Sequence, residues 1–201
     1  MKKGKFIVLE GIDGAGKTTQ SAMISQWMKG EGLKVVATKE PTKDIIGNLL
    51  KVTLYMEKLS PITDAFLFAA DRAEHLDKEI KKALAKGNIV ISERYFYANI
   101  AYQSSQGVDE KFIEKINQFA IKPDLIILLD APAIFALDRQ WNVSYYQPSK
   151  FEKNAEFNEK VRKKYLALAK KYHMKVVDAT KSQEEVFQEI KTIILKELLE
   201  G

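Results

Sequence analysis

Lys17 and Thr18 follow directly on Gly16, and Gly11 opens the same stretch, so Gly11-x4-Gly16-Lys17-Thr18 has the full spacing of a phosphate-cradling loop. The chemistry needs these residue types. Glycines let successive backbone N–H groups curl around an anion without Cβ clashes. A lysine can reach the β- and γ-phosphates of a nucleoside triphosphate, and a threonine hydroxyl can hold Mg²⁺. The loop therefore implies a bound triphosphate over Gly11, Ile12, Asp13, Gly14, Ala15, Gly16, Lys17, Thr18 and Thr19. It does not say what receives the phosphate.

Two further segments carry chemistry. In the helical stretch 66–84, Phe68 and Arg72 lie one turn apart and share a face, an aromatic ring beside a guanidinium. Such a pair suits a base with a π-face and a carbonyl edge. The alternative is a core phenylalanine with an arginine paired to Asp71 or Glu74. In "ISERYFYANIAYQ", Glu93 closes an apolar run and Arg94 follows at once. Glu93 could hold Mg²⁺ or accept a proton, and Arg94 could neutralise a substrate phosphate. The alternative is a surface ion pair. His75 and His173 are the only histidines; neither sits in a metal-ligand pattern, and both read as structural.

The elements that must position these residues follow from periodicity. Short β-rich apolar runs at 6–9, 34–38, 88–92, 125–129 and 175–177 alternate with helical patterns. Alternation of this kind predicts an α/β fold with a five-stranded parallel sheet covered by helices on both faces. In such sheets ligands bind beyond the carboxyl ends of the strands. Each run is followed there by residues of interest: Glu10 to Thr18, Glu40-Pro41, Glu93-Arg94-Tyr95, Asp130-Ala131-Pro132 and Asp178-Ala179-Thr180. Residues 1–201 read as one domain, and "WNVSYYQPS" as an irregular loop between two helices.

Composition narrows the class. Charged residues make up 29% of the chain and hydrophobic ones 46%, usual for a globular protein, and no apolar run approaches the ~18 residues a membrane span needs. The absence of cysteine excludes disulfides and thiolate metal sites and favours the cytoplasm. The net charge of +5 is spread over lysines interleaved with glutamates, which reads as a solvated surface plus a phosphate site rather than a nucleic-acid footprint. A GTPase-like switch would need an Asn-Lys-x-Asp guanine-reading motif, and none occurs.

Taken together, "FIVLEGIDGAGKTTQ", "KEP" at 39–41, "LFAADRAEH" at 67–75, "ERY…ANIAYQ" at 93–103, "LLDAP" at 128–132 and "VVDAT" at 176–180 resemble, in order, the segments of the thymidylate kinase family of P-loop nucleoside monophosphate kinases. The resemblance implies the three-layer P-loop NTPase fold, a lid at about 139–151 and transfer of the γ-phosphate of ATP to dTMP, with Mg²⁺ at Thr18 and Glu93 and commonly a homodimer. Nucleic acid and membrane are not implied as partners. By position, Asp13 would hold the deoxyribose 3′-hydroxyl, Phe68 would stack on thymine, Arg72 would bond its O4 edge and Asn99 would meet N3. Tyr102 would lie against the sugar, with Pro41 and Gln103 also on the substrate side, and Arg94 would grip the acceptor phosphate. Arg139 would stack on adenine, with Ala179, Thr180 and Lys181 lining the same pocket. A kinase for another deoxynucleoside monophosphate, or for a deoxynucleoside, is the nearest alternative.

The sequence departs from that pattern at three places. Glu93 replaces an aspartate and Lys39 an arginine. Family members place a catalytic arginine in the phosphate loop or the lid, yet the loop position is Gly14 and the lid contains none. Lys150 and Lys39 are the cations left to join Lys17, Arg94 and Glu93 in catalysis.

Overall fold

The computed structural model describes residues 4–54, 59–141 and 154–199. Five strands, β1 (Lys5–Glu10), β2 (Val35–Lys39), β3 (Ile89–Glu93), β4 (Leu125–Asp130) and β5 (Lys175–Asp178), form one sheet in the order β2-β3-β1-β4-β5. Every neighbouring pair is parallel. The three middle strands are buried at nearly every residue, as apolar runs must be when both faces are covered, whereas the edge strands β2 and β5 alternate. Each apolar run predicted as a strand is one, and each strand continues one residue further, onto Glu10, Lys39, Glu93, Asp130 or Asp178.

Nine α-helices are present among the described residues: α1 (Lys17–Gly30), α2 (Ile45–Thr53), α3 (Pro61–His75), α4 (Lys81–Ala85), α5 (Phe96–Ser105), α6 (Glu110–Ile116), α7 (Ala133–Trp141), α8 (Ala155–Tyr172) and α9 (Gln183–Ile194). Helix α1 packs on β1, β2 and β3 and against α9; a second group, α3, α5 and α8, packs together and reaches the sheet through α8 on β4. The sheet with helices around it is the P-loop NTPase architecture. The stretch 66–84 is helical as expected, but a π-helical turn at Leu76–Ile80 interrupts it, placing His75, Leu76 and Ile80 all in the interior. No helix of the described residues is long and apolar enough to cross a membrane.

Local chemistry sets the ends. Ser60 caps α3 ahead of Pro61, Asn154 caps α8, and a reciprocal Ser182–Glu185 pair opens α9. Helix α1 begins without any side-chain cap, at Gly16 with φ 95°, so its first N–H groups stay free to meet a ligand.

Candidate active site

The parallel register aligns the strand ends. Leu9 lies opposite Glu93, and Glu93 opposite Lys39, so the loop after β1, Glu93-Arg94 after β3 and Lys39-Glu40-Pro41 after β2 share one edge. A cleft opens there. Its walls hold Asp13 to Gln20, Lys39, Glu40, Pro41, Lys51, Glu93, Arg94, Arg139, Ala179 and Lys181. Among these, Lys51 on α2 had no motif to announce it.

The loop is built for close approach. Gly11 (φ 144°) lies so near β4 that a Cβ would come within 2.6 Å of the Leu129 carbonyl oxygen. Gly14 (φ 81°) is closed more firmly: a Cβ there would collide with the Ala136 carbonyl of α7. The loop position where the resemblance leads one to expect an arginine has no room for any side chain. Lys17 is buried, and its Nζ donates to the carbonyls of Gly11 (2.9 Å) and Ile12 (2.7 Å). Burial, reinforced by the Arg94 charge, lowers its pKa to about 8. A phosphate anion would favour the charged form and offer better acceptors than loop carbonyls.

Thr18 and Glu93 meet: the Thr18 hydroxyl donates to Glu93 Oε2 at 2.6 Å. Hydroxyl and carboxylate oxygens are the hard donors Mg²⁺ takes. Among the described residues no cluster of three or more His, Cys, Asp or Glu side chains could hold a metal by itself. A two-oxygen site fits an ion that arrives with nucleotide phosphates and keeps several waters.

Arg94 does not form a surface pair with its neighbour. It has φ 70°, a left-handed backbone rare outside glycine, held by its N–H on the Leu9 carbonyl. The strained turn aims the guanidinium back into the cleft. There NH2 donates to Asp13 Oδ1 at 2.5 Å and to the Tyr102 hydroxyl at 3.3 Å, and Tyr102 donates to Asp13 Oδ2 at 3.2 Å. Burial opposes ionisation of Asp13, yet the Arg94 and Lys17 charges hold its carboxyl below the usual range. Behind this group sits Glu10, completely buried, accepting from the Tyr95 N–H (2.8 Å) and the Tyr165 hydroxyl (2.8 Å). Burial raises its pKa to about 7 against the pull of Arg94. Glu10 and Tyr165 pin the turn that carries Arg94. A carboxylate ending an apolar strand just before a glycine loop was a usable signal for Glu10; Tyr165 offered none.

The arginine of α3 is not paired to Asp71 or Glu74. Arg72 is 1% exposed and donates to Glu40 Oε2 (2.7 Å) and Asn117 Oδ1 (2.5 Å), while Asp71 accepts from Thr42. Asn117 donates to Asn99 Oδ1 (3.1 Å), and Asn99 donates to Gln103 Oε1 (2.9 Å). Arg72, Asn99 and Gln103 are therefore brought into one buried polar chain, with Glu40 and Asn117 as members sequence reasoning missed. Arg72 Nε and Gln103 Nε2 are buried with no partner among the described residues, a cost a protein accepts where a ligand completes the bonds. Phe68, half-buried, stands one turn before Arg72.

On the opposite side Arg139 stacks over Phe135 (4.4 Å to the ring centroid) and donates to the carbonyls of Ala179 (3.0 Å) and Lys181 (3.3 Å). Arg139, Ala179 and Lys181 share the cleft wall, whereas Thr180 turns away to cap Asp178. Of the expected lid at 139–151, everything beyond Trp141, Lys150 included, lies outside the described residues.

Comparison with known proteins identifies the family. The family model described as thymidylate kinase matches residues 9–190. The chain is 43% identical to a probable thymidylate kinase of Thermococcus onnurineus over 96% of its own length and 98% of that protein. It is 42% identical to a probable thymidylate kinase of Pyrococcus horikoshii (98% of each chain) and 44% identical to one of Methanocaldococcus jannaschii (94% and 95%). On this match over nearly its whole length, the chain belongs to the thymidylate kinase family of nucleoside monophosphate kinases.

Proposed function

We propose that the protein transfers the γ-phosphate of ATP to dTMP, giving dTDP and ADP, as one domain closed by the 139–151 lid. The observation that carries the choice of acceptor is Arg72: a buried guanidinium fixed at both terminal nitrogens, with Nε left to donate. A pyrimidine with a carbonyl at position 4 accepts such a donor, and a 4-amino group does not.

In-line transfer between two phosphates needs alignment and charge neutralisation rather than a side-chain nucleophile. The backbone of Gly11 to Thr19 wraps the donor phosphates, and Lys17 leaves its loop carbonyls for their oxygens. Arg139 presents a flat face for adenine, held by its bonds to Ala179 and Lys181. On the acceptor side Arg94 grips the dTMP phosphate and Asp13 takes the 3′-hydroxyl, with Tyr102 against the sugar. Phe68 stacks on the base, Arg72 and Asn99 read its edge, and Pro41 and Gln103 close the pocket. Lys39 and Lys51, both on the cleft wall, supply positive charge around the acceptor phosphate. Thr18 and Glu93 are the residues that would hold Mg²⁺, which offsets phosphate charge when bound.

A homodimer fits the surface: Ile45, Leu49 and Val52 on α2 and Ile62 and Phe66 on α3 form an exposed apolar face. A cysteine-free chain suits the cytoplasm. The reading is tested by incubating the enzyme with ATP, Mg²⁺ and dTMP. Equal amounts of dTDP and ADP support it; ADP without dTDP would make the protein an ATPase, and phosphorylation of deoxynucleosides instead would select the alternative.

A further inference from the structure

Glu40 divides its carboxylate between two partners. Oε2 accepts from Arg72 at 2.7 Å, and Oε1 faces His75 Nδ1 at 3.1 Å. All three side chains are at most 2% exposed. A buried carboxylate holds one rotamer only while both oxygens are bonded, because an unpaired one is costly. The far side of the imidazole is anchored as well. His75 Nε2 lies 2.7 Å from Thr38 Oγ1 and 3.2 Å from Glu79 Oε2.

Proton accounting constrains the form of the ring. The single Thr38 hydroxyl proton goes to Glu79 Oε2 at 2.7 Å, so Thr38 Oγ1 accepts from Nε2–H. Nδ1 faces a carboxylate and also carries a proton. This arrangement, with a carboxylate on either side, favours the imidazolium form of His75. Burial works against that charge, but the bond to Glu40 and the nearby Glu79 and Asp71 raise its pKa. The charges alternate from the half-exposed Glu79 through His75 and Glu40 to Arg72, whose guanidinium also lies over the Tyr95 ring.

We propose that His75 is a positioning residue for base selection, fixing Glu40 and, through it, the Arg72 guanidinium to which the reading above assigns the acceptor base. His75 itself touches no substrate. The inference rests on the dTMP reading above. Without His75, Glu40 Oε1 is left buried and unpaired, and the carboxylate turns to find another donor. Arg72 keeps its Asn117 bond and loses its fixed angle, so affinity for dTMP and discrimination against dCMP fall together while ATP binding, at the other end of the cleft, is untouched.

The test uses His75→Leu, His75→Asn and Glu40→Gln in the full chain. Each is checked by thermal melt, then measured for KM of dTMP, KM of ATP, and the dTMP:dCMP ratio of kcat/KM. His75→Leu is expected to raise the dTMP KM about tenfold and narrow the ratio by a like factor, the effect of losing one charge-assisted bond. The KM for ATP should hold. His75→Asn, whose amide nitrogen falls near the Nδ1 position, should recover most of the loss. Glu40→Gln should narrow the ratio, and the Glu40→Gln/His75→Leu pair should be non-additive. A folded His75→Leu enzyme with the parent KM and ratio would overturn the proposal. So would equal damage to both KM values with no rescue by Asn, since that marks a residue that merely stabilises the fold. Failure of the unsubstituted enzyme to phosphorylate dTMP would instead refute the reading on which the proposal stands.

Discussion

The Thr18 hydroxyl and the Glu93 carboxylate, 75 positions apart, lie 2.6 Å from each other at the mouth of the phosphate loop. The loop after β1 and the end of β3 are joined there by the two oxygens suited to a hard cation. Glu93→Gln keeps the size and removes the charge. It is expected to lower kcat and to raise the Mg²⁺ concentration needed for half-maximal activity by about 10- to 100-fold. A Mg²⁺ titration of parent and variant checks this; an unchanged midpoint would remove Glu93 from the metal site.

Lys17→Ala should abolish most transfer, by about a hundredfold or more, because in the proposed mechanism the lysine would meet charge that grows toward the transition state. The fold should persist. The variant loses two bonds to loop carbonyls but also sheds a buried charge whose pKa had been depressed to about 8. Circular dichroism and a melt verify folding before kinetics are compared.

Gly14→Arg, although it would put a cation into the phosphate loop, is expected to inactivate the enzyme rather than improve it. Its Cβ meets the Ala136 carbonyl and its φ of 81° disfavours any side chain. The missing cation should come from elsewhere. Lys150→Ala is expected to lower the single-turnover rate more than it raises the KM for dTMP, and Lys39→Ala to do the reverse. Rapid-quench measurements on both separate the two roles.

Glu10 links pH to stability. Its pKa is raised by burial from the ordinary 4.5 to about 7, so between those values the folded state holds a proton the unfolded state has lost. Stability contributed at this site therefore falls as pH rises through that window. Glu10→Gln can still accept from Tyr95 N–H and can donate to Tyr165, and it removes the titration. Relative to the parent it should gain on the order of 2–3 kcal/mol between pH 5 and pH 8. Urea melts at the two values read the difference directly; parallel curves for the two proteins would show that Glu10 does not titrate in that range.

Much of the scaffold was legible because it is local. Runs such as Phe6–Leu9 and Leu125–Leu129 declare buried strands by composition alone, and glycine spacing declares the loop between β1 and α1. The strand order β2-β3-β1-β4-β5 was not legible, since parallel neighbours are set by crossovers and not by adjacency. The same limit governed the site. Lys17 and Arg94 stand in motifs. Tyr165, by contrast, serves Glu10 from 155 positions away, and Asn117 joins Arg72 across 45 positions, with no local pattern to mark either. The π-helical turn at Leu76–Ile80 was hidden for a related reason: the extra residue changes which face is buried without breaking the helical composition.

A buried Arg72, fixed at both terminal nitrogens, is proposed to select a pyrimidine monophosphate with a 4-carbonyl. The most direct test of that selection is a panel of dTMP, dCMP and dGMP with ATP and Mg²⁺, scored as kcat/KM from ADP release. dTMP is expected to be preferred by roughly 5- to 150-fold, the cost of one unmatched buried donor, with a narrower preference in Arg72→Ala. Equal use of all three monophosphates, or a preference unchanged by Arg72→Ala, would contradict it.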